Sequence, residues 1–140
     1  LYRKDDPSPP KTMKFRYIHK IGMVIASHKG DLTFDMIIKM INQAVEEATK
    51  HQCRKIIFDI RQAIIEQSFE IDYTLYRKLL EITPLTSKHS IALLVNVGPR
   101  LPLERIMLWQ DVANNWGTSI FRVFYTLPEA KHWLSSIKTD

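Results

Sequence analysis

The sequence predicts a single-domain α/β protein built on a mixed five-stranded sheet, with about four helices packed on it. Three observations predict this class. Short apolar runs alternate with stretches whose apolar residues recur every three or four positions, the order that folds as parallel strands joined by helices. The first two strand-like runs, KFRYIH and GMVIASH, lie so close together that they form an antiparallel hairpin. Finally, 140 residues is the length of one domain, and a chain of that size buries roughly two-thirds of its unfolded surface.

The elements follow in order. KFRYIH (14–19) sets Phe15, Tyr17 and His19 on one side and Arg16 and Ile18 on the other, and GMVIASH (22–28) returns beside it. In LTFDMIIKMINQAVEEATKH, residues Phe34, Ile37, Ile38, Ile41, Ala44, Val45 and Ala48 form one helical face, with Thr33 as its N-cap. KIIFDI (55–60) is too short for a helix and reads as a buried strand that stops at the charged pair Asp59 and Arg61. Ile71, Leu75, Leu79 and Ile82 share a stripe and predict a second helix.

SIALLVNV (90–97) is apolar without alternation, as a strand covered on both faces is. Pro102 suits the first turn of a third helix running to Trp116, and Gly117 suits its C-terminal stop. SIFRVFY (119–125) is the fifth strand. The last helix opens with a capping box, Thr126 three residues before Glu129, and places Ala130, Trp133, Leu134 and Ile137 on one face. The order β-β-α-β-α-β-α-β-α calls for parallel βαβ units after the hairpin. Residues 1–12, crowded with proline and charge, read as a disordered arm or linker before a domain spanning 13–140.

Composition narrows the function. The net charge is +5 and the pI about 9.4, but the basic residues are scattered and the densest internal cluster is only Lys50, Arg54 and Lys55. A nucleic-acid groove concentrates charge on one face, so no nucleic-acid partner is expected. The one cysteine, Cys53, permits no internal disulfide, which points to a reducing cytoplasm. No apolar run approaches the ~18 residues that span a bilayer, and the N-terminus has no secretory h-region.

No cluster carries chemistry. His19, His28, His51, His89 and His132 lack metal-ligand spacing, and Cys53 has no partner motif, so no metal is expected. The four glycines stand alone, without a phosphate loop or a Gly-x-Ser-x-Gly elbow, and the acidic pairs Glu46/Glu47 and Glu66/Glu70 are ordinary surface. No catalytic residue and no cofactor is assigned.

Two places remain as candidate binding sites. The first is the group of strand ends carrying Asp59, Arg61, Asn96 and Arg100. Ligands of open α/β sheets settle at such ends, and two arginines there favour a carboxylate or phosphate. The plainer reading is that Asp59 pairs with Arg61 and braces the chain after the strand. The second is surplus apolar surface on two helices: Tyr73, Tyr76 and Leu80 on one, and Leu103, Met107 and Leu108 on the other. Such surplus serves a partner interface, a homodimer, or a lipid-like pocket between the sheet and helices two and three.

The hairpin, the FDIR strand, the apolar IALLVNV strand and the closing RVFYTLPEAKHWL together resemble the SpoIIAA-like branch of the STAS proteins, related in fold to CRAL–TRIO domains. The resemblance spans residues 14–137. It implies a STAS-like sheet, no catalytic activity, and a module that binds a protein partner, as bacterial members do. In the anti-sigma antagonists of that group, a Ser or Thr directly after the strand-end Asp is phosphorylated to switch binding. Here Ile60 follows Asp59, and the nearest downstream hydroxyl is Ser68, so that switch is not expected.

Overall fold

The computed structural model describes residues 12–65, 77–78, 81–86, 88–98, 101–116 and 120–138, and of residues 109, 112–116 and 120 the backbone alone. Five strands form one sheet: β1 (Met13–Ile18), β2 (Met23–Leu32), β3 (Lys55–Ile65), β4 (Ser90–Leu94) and β5 (Ile120–Phe124). Three helices accompany them among the described residues: α1 (Phe34–Lys50), α2 (Leu103–Trp116) and α3 (Leu127–Ser136). The second helix expected from the sequence, with its Tyr73, Tyr76 and Leu80, lies outside the described residues, although 77, 78, 81 and 82 are helical.

The strands stand in the order β1-β2-β3-β4-β5. β1 and β2 are antiparallel and every later pair is parallel. The hairpin closes through Gly22, whose φ of 63° suits a residue without Cβ and whose N–H donates to the Ile18 carbonyl at 2.8 Å. Strands laid down in sequence order by connections of one hand send their crossover helices to one face. The packing agrees: Met40, Ile41, Ala44 and Val45 of α1 and Ile106 of α2 share one core with Val24, Ala26, Ile56, Phe58, Ile91 and Val123.

The opposite face is covered by α3, which follows all five strands and is therefore free of the crossover rule. Its Ala130 and Leu134, both fully buried, rest on Met23, Ile25, Ile57, Ala92 and Leu94. α3 begins as the sequence predicts. Thr126 Oγ1 accepts from the Glu129 N–H at 3.4 Å and donates to the Glu129 carboxylate at 2.7 Å.

α1 also has defined ends. Thr33 Oγ1 accepts from the Met36 N–H at 3.3 Å. At the other end Gln52 takes φ 56°, while Gln52 N–H bonds Thr49 O and Cys53 N–H bonds Ala48 O at 2.7 Å. That pair of bonds is a Schellman motif, made here without the glycine that usually supplies the left-handed residue. It was invisible in the sequence for that reason.

One expectation needs correction. β3 does not end at Asp59 and Arg61; it continues to Ile65 alongside a β2 that reaches Leu32. The two strands outrun β4, which stops opposite Asp59 at Leu94. The RQAII segment hid this extension, because Arg61 and Gln62 break the apolar run.

Candidate functional site

The register between β2 and β3 slips once. Ser27 pairs with Asp59 and Lys29 with Gln62, so His28 faces two residues, Ile60 and Arg61. This is a β-bulge on β3. A bulge reverses the inside–outside alternation of its strand, and the core shows the reversal: Ile56, Phe58 and Ile60 pack against it before the bulge, Ala63 and Ile65 after it.

The bulge takes Arg61 out of the regular ladder, and side chains take over its backbone groups. Asp59 Oδ1 accepts from the Arg61 N–H at 3.2 Å, and Asn96 Nδ2 donates to the Arg61 carbonyl at 3.0 Å. Asp59 also grips the guanidinium with both oxygens, Nε to Oδ1 at 2.9 Å and Nη2 to Oδ2 at 2.8 Å. That bidentate bond raises the Arg61 pKa further above its already high value. Asp59, Arg61 and Asn96 thus come together, whereas Arg100 lies outside the described residues.

Around this brace opens a cleft of about 710 Å³. Strand pairing supplies its other walls. Lys14 of β1 lies opposite Ser27, which lies opposite Asp59, so three polar residues form a row across three strands. Lys29 and Gln62 make the next row beyond the bulge. Thr12 and His28 complete the lining. His28 is buried; its Nε2 lies 2.6 Å from the Asp31 carbonyl, which only accepts, so Nε2 carries a proton and Nδ1 faces the Thr12 hydroxyl at 3.4 Å. The lysines and His28 were not singled out from the sequence, because only the pairing of β1 with β2 brings residues 12–14 to residues 27–29.

The other candidate site is on α2. Ile106 is fully buried, while Leu103, Met107 and Leu108 are 47%, 56% and 43% exposed. These three form an outward apolar surface.

Two further groups are accounted for structurally. The Cys53 thiol donates to the Gly22 carbonyl at 3.0 Å, and burial pushes its pKa up, the reverse of an activated nucleophile. Among the described residues no cluster of three histidine, cysteine or carboxylate side chains is placed to hold a metal ion. Among them, too, no helix is long and apolar enough to cross a membrane.

The architecture is that of a mixed α/β sheet with an N-terminal hairpin, crossover helices on one face and a closing helix on the other. No protein-family model and no curated protein matches the sequence. A solved structure does match in three dimensions: an anti-sigma factor antagonist from Mycobacterium paratuberculosis. The match has a TM-score of 0.54 and 13% identity, over 91% of this chain and 97% of that one. At such identity the likeness establishes the fold alone, and the mixed-sheet, STAS-like fold expected from the sequence is borne out.

Proposed function

We propose that this chain is a non-catalytic regulatory module that works by binding a protein partner through the outward face of α2. The observation that carries the proposal is the cluster of Leu103, Met107 and Leu108, each between 43% and 56% exposed on a helix anchored by a fully buried Ile106. Grouped apolar side chains on a rigid helix are the usual centre of a docking surface. The shared fold with an anti-sigma factor antagonist supports a partner of the anti-sigma type. A cytoplasmic setting suits the single thiol of Cys53.

Regulation would differ from a phosphorylation switch at the residue after the strand aspartate. That residue is Ile60, which has no hydroxyl and is 8% exposed within the sheet. An apolar ligand carrier is disfavoured by Met107 and Leu108, which point outward. An enzyme is disfavoured by Asp59, whose carboxylate is fully engaged on Arg61.

The test is calorimetric titration of the purified protein against the anti-sigma factors encoded in its source genome, alongside its mass in solution. Saturable binding of one of them, weakened about tenfold or more by Met107→Glu, is expected of an apolar contact replaced by a charge. Circular dichroism should show the variant folded. Absence of binding, or equal binding by the variant, would overturn the proposal. A dimer dispersed by Met107→Glu would instead put a second copy in the partner's place.

A further inference from the structure

We propose that the polar cleft at the β3 bulge is a binding site for a small sugar phosphate, separate from the α2 surface. The charge of the cleft is the first argument. Among the described residues, Lys14, Lys29 and Arg61 line it against one carboxylate, that of Asp59, which leaves two net positive charges with His28 counted neutral. Neither lysine meets a carboxylate among the described residues. A phosphate monoester carries about 1.5 to 2 negative charges at neutral pH, which matches the cleft better than one carboxylate does.

Geometry is the second argument. A guanidinium has five N–H donors, and Asp59 takes two of them, through Nε and Nη2. The remaining donors sit on a group already locked in place, so a ligand oxygen meets an arginine that needs no further ordering. Asn96 spends its amide nitrogen on the Arg61 carbonyl and keeps Oδ1 to accept from a hydroxyl. Ser27 and Gln62 add further polar partners on the same face.

Size and lining decide the rest of the molecule. A cleft of about 710 Å³ falls in the usual range for metabolites, roughly 300 to 1,000 Å³, and is far larger than inorganic phosphate requires. Among the described residues, those lining it carry hydroxyl, amide, charged and imidazole groups, and none is aliphatic. Hydrogen-bonding side chains of this kind suit a polar body better than an acyl chain, and the His28 ring among them is buried, which gives a nucleobase little to stack on. A polyhydroxylated body carrying a phosphate satisfies every feature of the site.

The experiment is calorimetric titration with ribose 5-phosphate, glucose 6-phosphate and glycerol 3-phosphate, with ribose, glucose, inorganic phosphate and phosphatidylcholine vesicles containing phosphatidic acid for comparison. Backbone amide shifts are followed in parallel by NMR. The expected result is saturable binding of at least one sugar phosphate, with little response to the free sugars. The amides of Ser27, Lys29 and Asn96 should move. Lys14→Ala and Lys29→Ala should each weaken binding about tenfold or more, as loss of a charged hydrogen bond does. The pair Lys20→Ala/Lys50→Ala, away from the cleft, should leave it unchanged.

Four results would overturn the site: no saturable binding, equal loss in the Lys20/Lys50 control, shifts confined to other residues, or binding only to phosphatidylcholine vesicles containing phosphatidic acid. The measurement is independent of the α2 variant, so either proposal can fail without the other.

Discussion

His89 shows how one side chain ties stability to pH. It is buried before β4, and its Nδ1 accepts the Thr86 N–H at 3.0 Å. Burial lowers its pKa from the ordinary 6.5, and Arg54 nearby pushes in the same direction. The unfolded chain therefore takes up a proton near pH 6.5 that the folded chain refuses. The contribution of His89 is fully present above that pH and is lost as pH falls from it toward the folded value. Urea midpoints measured between about pH 7.5 and about pH 5 should fall more steeply for the native protein than for His89→Gln, whose side-chain oxygen can still accept from Thr86. Parallel curves would remove His89 from the acid sensitivity.

At the scale of the element, β3 is the informative case. Its bulge takes Arg61 out of the regular pairing, and Asp59 satisfies its backbone N–H. Asp59→Ala should cost about 1–3 kcal/mol, because it strands that donor and frees the guanidinium. Asp59→Asn keeps one oxygen for the N–H and should recover part of the loss. Chemical denaturation of the three proteins separates the backbone bond from the ion pair, which is partly exposed and screened. If the two variants lose equal stability, the backbone bond is not the important one.

The same strand shows what the sequence discloses. Ile56, Phe58 and Ile60 announce a buried strand, and the stripe from Phe34 to Ala48 announces α1, because each is a repeating burial pattern. The bulge has no such pattern. It is specified by pairing with β2, and residues 61–65 read as polar and irregular until that partner is known. Asp59, Arg61 and Asn96 were legible as a group at the strand ends. Lys14 and Lys29 were not, since they are joined only by the register of the hairpin.

For the whole molecule, the division of labour between faces is the main result. One face is closed by α1 and α2 together, the other by α3 among the described residues. Leu134 is fully buried at the centre of that second layer, against β2, β3 and β4 residues. Leu134→Ala should destabilise by about 2–5 kcal/mol, the usual cost of a cavity at a packed site. Thermal or urea unfolding measures it directly; a loss below about 1 kcal/mol would mean that α3 rests loosely on the sheet.

The position of α3 along the chain has a further result for biosynthesis. A polypeptide leaving the ribosome can complete all five strands before α3 is released from the exit tunnel. During that interval Met23, Ile25, Ile57, Ala92 and Leu94 have no α3 over them. Nascent chains stalled with β5 just emerged and α3 still inside the tunnel should recruit chaperones or aggregate, while those extended past Ser136 by the tunnel's length should not.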